Sequence, residues 1–152
     1  ASGLDFFLNK KPINWKYSIK IGGSGTEFVR LKKIILERKL KNVSIMPVKN
    51  DDTISFMKSA DYALLVINSS ITISSVPSKY LTYIKNKLPV LCVGNKNSII
   101  AEEIRKNKTG VVVDVEELFS SNYFFTELRN TKVNENENFQ KLKNKYLKII
   151  CK

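Results

Sequence analysis

The sequence predicts an α/β protein, a three-layer sandwich with helices on both sides of a mainly parallel sheet. Three observations predict it. Apolar runs that do not alternate, within 61–70 and 88–95, read as strands buried on both faces. Stretches such as 26–40 place apolar residues at helical spacing. The two kinds of segment follow one another in turn, the pattern of repeated strand–helix units.

Taken in order, "WKYSIKIGG" (15–23) alternates apolar and polar residues and ends in glycines, as a strand does. "TEFVRLKKIILERKL" (26–40) reads as an amphipathic helix through Phe28, Leu31, Ile34 and Ile35, with Leu40 closing the face. "NVSIMPV" (42–48) is a short strand that Pro47 interrupts. "NDDTISFMKSA" (50–60) opens with capping residues and continues as a short helix. A buried strand follows at 61–70. "VPSKYLTYIKNK" (76–87) is a helix with Pro77 in its first turn. "LPVLCVGN" (88–95) is a strand, "SIIAEEIRKNK" (98–108) a helix, and "TGVVVD" (109–114) a brief strand. Residues 115–130 read as largely helical and 131–138 as a polar break. "FQKLKNKYLKIICK" (139–152) is a basic amphipathic helix expected to pack back on the domain at 1–138.

The chain has 152 residues, enough for one domain with its own core. No apolar run approaches the roughly 20 residues that cross a bilayer, and the opening residues do not read as a signal peptide. With no His, and with two Cys in no paired motif, neither a zinc site nor a His-based triad is expected. Cys92 within an apolar run and Cys151 near the end read as reduced thiols, which points to a cytoplasmic setting. The net charge of +12 comes from lysines spread through every predicted helix, seldom interleaved with aromatics. A dedicated nucleic-acid reader would use Arg forks and stacking aromatics, so no nucleic-acid partner is expected.

In a parallel sheet, ligands bind beyond the carboxyl ends of the strands. That places the loops of interest at 22–26, 47–52, 68–79 and 94–98. "IGGSGTE" (21–27) sets Gly23, Ser24 and Gly25 between a strand and a helix, where bare backbone N–H groups can meet a phosphate. A tight turn explains those glycines as well, and the motif matches neither a dinucleotide fingerprint nor a P-loop. In "SVPSK" (75–79), backbone N–H groups, the Ser78 hydroxyl and the Lys79 ammonium could converge on one anion at a helix start. The plainer reading makes Ser78 a cap and Lys79 a solvated cation. The acidic residues considered for acid–base work are Asp5, Asp51, Asp52, Asp61, Glu102, Glu103 and Asp114, and no two of them form an acid and base pair. No catalytic residue, metal or cofactor is expected.

The order of these landmarks resembles the C-terminal, nucleotide-sugar-binding domain of GT-B glycosyltransferases, closest to the retaining family-4 type with a Pro-Ser-Lys signature. The landmarks are the Gly-x-Gly turn, the "Asn-Val" strand, Ala60–Asp61 before a strand, "PSK", Pro89–Val90, and Gly110 before a Val run. They cover about residues 17–114. The resemblance implies a Rossmann-like fold, the C-terminal half of a GT-B enzyme, lacking its first strand. It implies a UDP- or GDP-linked sugar donor. Val48 and Lys49 would line the base, and Ser74, Ser75, Val76, Ser78 and Lys79 would meet the diphosphate and sugar. Thr82 stands where the family carries a Glu that bonds the ribose, and Ser74 where a second acidic residue belongs; Lys87 replaces a usual Gly. Losing the carboxylate clamp would cost about 1–3 kcal/mol of donor binding. The acceptor would bind through an N-terminal domain this chain lacks, so the chain is expected to be a fragment or a remnant, inactive alone. The implied function is hexosyl transfer in bacterial surface-polysaccharide synthesis, in the cytoplasm or peripheral on the inner face of the membrane. The alternative is a binding domain that kept the scaffold and lost the donor.

Overall fold

The structure, a computed structural model, describes residues 3–13, 15–67, 76–121, 123–133 and Gln140. It is mixed α/β with short parallel sheets. In chain order the elements are α1 (Gly3–Lys10), β1 (Ile19–Gly22), α2 (Thr26–Glu37), β2 (Val43–Met46), a 3₁₀ turn (Asn50–Asp52) leading into α3 (Thr53–Lys58), and β3 (Ala63–Val66). There follow α4 (Ser78–Lys85), β4 (Val90–Val93), α5 (Ile99–Asn107), β5 (Gly110–Val113), α6 (Val115–Ser120) and α7 (Tyr123–Asn130).

The strands form two parallel groups, β1–β2 and β3–β4–β5. Ala63 lies opposite Val90, and Val90 opposite Gly110. β4 is central in its group and all four of its residues are buried, which is why its sequence does not alternate. Leu91 and Val93 join Val111 and Val113 under α1, α2, α6 and α7, whereas Val90 and Cys92 face Tyr80, Ile84, Ile100 and Ile104 of α4 and α5. The first of these clusters also takes in Ile19, Ile21, Val43 and Ile45. Both strand groups therefore turn one face to the same layer of helices.

Helix α1 fixes their relative sense. A Cβ on Gly3 would stand 3.0 Å from the carbonyl oxygen of Val66, so α1 begins at the C-terminal end of β3. Just past its other end, the Lys11 ammonium donates to the Asn42 Oδ1 at 2.9 Å, beside the start of β2. One helix thus runs from the end of β3 back to the start of β1 and β2, and all five strands point the same way.

The sequence predicts one continuous sheet; among the described residues β1 and β3 each pair on one side only. Three boundaries also differ. Trp15 and Tyr17 belong to no strand, because their carbonyls accept from the Asn42 side-chain amide instead of from a neighbouring strand. The predicted helix over 115–130 is two helices, broken where Ser121 turns extended (φ −141°, ψ 155°). Gly3–Lys10, where the sequence reading names no element, form a two-turn helix. The predicted helix at 139–152 and its packing lie outside the described residues, apart from Gln140. No helix among the described residues is long and apolar enough to cross a membrane.

Candidate functional site

The loops that follow β1, β2 and β4 open at the C-terminal ends of the parallel strands. After β1, the Gly23 N–H donates to the Met46 carbonyl at 3.2 Å, which ties the turn to the end of β2. Gly25 is the residue ahead of α2, at φ 118°, a conformation that glycine adopts without strain. Open space surrounds the position a Cβ would take on either Gly23 or Gly25. Ser24 is exposed between them.

Gly22 has the opposite surroundings. A Cβ there would fall 2.7 Å from Val48 Cγ2 and 2.8 Å from the Phe56 ring. The missing side chain is what lets Val48 and α3 lie over the end of β1. The structure thereby brings Val48 to the glycine turn, with Val48 half-buried and Lys49 exposed beside it. The Lys49 carbonyl accepts from Asp52 N at 3.0 Å and from Thr53 Oγ1 at 3.2 Å, so its backbone holds the turn while its ammonium is left to solvent. Phe56 is a residue that sequence reasoning missed; the signal available was its place three residues past Thr53 on a short helix.

At α4, Pro77 occupies the N-cap position (φ −60°, ψ 136°) and no side chain caps the helix. This corrects the reading of Ser78 as a cap: Ser78 is the first helical residue and exposed. Pro77 takes the cap position because its fixed φ suits a helix entry and it has no N–H to satisfy. The N–H groups of Ser78 and Lys79 have no backbone partner among the described residues, whereas Tyr80 N donates to the Pro77 carbonyl at 3.0 Å. Lys79 is exposed and makes no ion pair among the described residues. Tyr80, wholly buried, meets Thr109 Oγ1 at 2.5 Å and anchors the first turn to the start of β5. Val76 is half-buried against the α4–α5 side of the core. Thr82 is exposed, and its hydroxyl donates back to the Ser78 carbonyl at 3.2 Å. Ser74 and Ser75 lie outside the described residues. No hydrogen bond or ion pair among the described residues joins the turn at 22–25 to the start of α4.

Two charges at this end are already committed. Glu27, in the first turn of α2, pairs with Arg30, which also pairs with Asp5 at 2.6 Å. After β4, Lys96 pairs with Glu117 at 2.5 Å and stands 3.6 Å from Asp114. The Glu117 hydrogen bond, followed by the charges of Glu117 and Asp114, holds the Lys96 ammonium above the usual lysine range. Among the other carboxylates considered, Asp114 caps α6 by accepting from Glu117 N at 2.7 Å, and buried Glu103 bonds the Asn107 side chain at 3.1 Å. Each of these two has a structural employment. Among the described residues no group of three or more acidic or Cys side chains could hold a metal.

An open depression of about 650 Å³ lies elsewhere, at the start of β5, lined by Arg105, Lys108, Glu127, Asn130 and Lys132 among others. It faces the opposite end of the strands from the loops above. The chain matches no family model, no curated protein and no solved structure.

Proposed function

We propose that this chain is the donor-binding half of a glycosyltransferase that takes a nucleoside-diphosphate sugar. One observation carries the reading: the start of α4 has no side-chain cap, and Lys79 in its first turn is exposed and makes no ion pair among the described residues. The Ser78 and Lys79 N–H groups, without a backbone partner among the described residues, and the positive end of the helix dipole favour a diphosphate there, and the Lys79 ammonium would offset charge on the leaving group as the glycosidic bond breaks. The turn at Gly23–Gly25 offers a second bare backbone surface, and Val48 an apolar edge for the base. Ser74, Ser75, Val76 and Ser78 complete the diphosphate and sugar contacts in this reading. The acceptor binds through another domain, and the work of the whole protein is hexosyl transfer in bacterial surface-polysaccharide synthesis, on the cytoplasmic side.

A titration with UDP and GDP, followed by amide shifts, tests this. The Ser78 and Lys79 amides should move, and Lys79→Ala should weaken binding by about threefold to tenfold. Binding that ignores Lys79→Ala would sink the assignment.

A second reading, a domain that kept the scaffold without the donor, is favoured by Thr82. Its hydroxyl is spent on the Ser78 carbonyl at the place where the resemblance expects a ribose-bonding carboxylate. Calorimetry that is silent for every nucleoside diphosphate, with a folded sample, would decide for it.

A further inference from the structure

Lysine is scattered along the sequence, and the fold collects it. All five strands run the same way and α1 to α5 each lead into the next strand, so the helix-to-strand connections lie together at the N-terminal ends of the strands. Residues 10–18, 37–42, 58–62, 85–89 and 106–109, which make those connections, hold eleven Lys and Arg against Glu37 and Asp61. The connections at the other end, from strand to helix, hold Lys49 and Lys96 against Asp51, Asp52 and Asp114. Of the eleven, Lys11 is buried and Arg38 donates to the Leu8 carbonyl. The other nine are exposed and make no ion pair among the described residues, and Glu37 is already paired with Lys33 at 3.7 Å.

Part of this is helix chemistry. Lys10, Lys58, Lys85 and Lys106 stand in last turns, where the negative end of the helix dipole favours a cation. The dipole does not call for Lys16 and Lys41, which belong to no helix and precede β1 and β2. Nor does it call for the side chains at 39, 87 and 108. These residues end α2, α4 and α5 in left-handed backbone, at φ 51°, 59° and 53°, where glycine is unstrained and lysine is not. Three times the chain accepts that strain, and each time an exposed ammonium stands at the same end. The depression of about 650 Å³ opens there too, with Lys108, Lys132 and Glu127 in its lining.

We propose that this end of the molecule binds the phosphate backbone of duplex nucleic acid without reading its sequence. Charge density argues for that partner. Neighbouring strands stand about 4.8 Å apart, so Lys58, Lys87 and Lys108 follow one another closely ahead of β3, β4 and β5. A duplex matches such spacing with one charge per roughly 1.7 Å of its axis, whereas a carboxylated polysaccharide sets its charges further apart. Lysine meets phosphate as a point charge and needs no planar fork. The rings near this end are taken up by one another: Tyr17 stacks on Phe125 at 3.7 Å, and Trp15 stands edge-on to Phe7 and Tyr17, so unpaired bases find no platform. A lipid surface calls for apolar side chains to enter it, and among the described residues of these connections Ile13 is the one large apolar side chain exposed. A second copy would be repelled. Lysines spread over every helix argue against a nucleic-acid partner only until their shared end is seen. None of these residues belongs to the donor site, so the proposal stands independently of that reading.

Fluorescence anisotropy of the 152-residue chain with two labelled DNA duplexes of unrelated sequence tests it. Both should bind alike, with log affinity falling against log salt at a slope of about −4 or steeper. A triple variant, Lys39→Gly with Lys87→Gly and Lys108→Gly, removes three charges and relieves the backbone at the same positions. It should keep its melting temperature, bind about tenfold or more weakly, and show a slope flattened by about 2–3. Lys16→Gln with Lys41→Gln should weaken binding by about threefold or more, while Lys32→Ala, midway along α2, should leave it unchanged. Full binding by both multiple variants, or an affinity indifferent to salt, overturns the proposal. So does a single strand bound more tightly than the duplex, or hyaluronate competing equally at equal charge.

Discussion

Lys11 has no exposed surface, yet it carries an ionisable ammonium. The group is satisfied by the Pro12 carbonyl at 3.1 Å and the Asn42 amide oxygen at 2.9 Å, and it stands over the Trp15 ring at 5.6 Å. Burial, and then the neighbouring Arg38 charge, lower its pKa from the usual 10.5. The sign of the consequence follows. Between the lowered native value and 10.5 the unfolded chain binds the proton that the folded chain has lost, so stability rises with pH across that window. The charge penalty is present in full below the native value and gone above 10.5. Urea unfolding of wild type and Lys11→Met at pH 7, 9 and 10 should therefore show wild type gaining on the variant as pH rises. A difference that stays flat, or that shrinks, would show that the ammonium pays no burial cost. Lys11 was not legible as buried, since a Lys beside Asn9 and Lys10 reads as solvated; only Asn42, distant in sequence, gives it a place inside. Lys79 was legible because its helix start depends on adjacent residues alone.

The elements themselves read best where local chemistry settled them. Ser98 accepts from Ala101 N at 3.3 Å as the cap of α5, and the helix begins within a residue of its predicted start. β4 was plain from its unbroken apolar run. At Gly110, a landmark of the resemblance, a Cβ would fall 1.9 Å from the Val90 carbonyl oxygen, so close approach of β4 and β5 requires the residue. The break between α6 and α7 was missed because apolar residues continue at helical spacing across it, and backbone geometry at Ser121 overrides them. Asp114 shows how a site candidate becomes an element's property. Its carboxylate caps α6 and faces Lys96, roles that a strand-end Asp does not advertise. Asp114→Ala should cost about 1 kcal/mol through the lost cap, with little from the exposed ion pair. Chemical denaturation would read this as a lower midpoint with an unchanged slope. Asp114→Asn should recover most of the loss, because an amide oxygen caps nearly as well.

At the scale of the whole molecule, the decisive feature is that among the described residues no strand pairs β1 with β3. Ala63 N donates to Pro89 O and Ile67 N to Val93 O, so the odd-numbered positions of β3 bond toward β4. The backbone groups of Leu64 and Val66 must then point to the other edge. By the same alternation Ile19 N donates to Asn42 O and Gly23 N to Met46 O, which turns Lys20 and Gly22 outward. Neither edge was visible in the sequence, because period-2 patterning reports which face of a strand is buried and says nothing about who lies beside it. The alternation yields a pattern that amide exchange can read at single residues. Ala63, Leu65 and Ile67 should exchange slowly and Leu64 and Val66 on the order of a hundredfold faster, although their side chains are half-buried against the core. Lys20 and Gly22 should likewise outpace Ile19 and Ile21. If both sets on β3 are equally slow under native conditions, something pairs with its outer edge, and the two groups of strands are one sheet in solution. A single core layer spanning both groups makes the fast pattern the expected one: α1, a helix, covers that gap with side chains and has no free row of backbone groups to offer either edge.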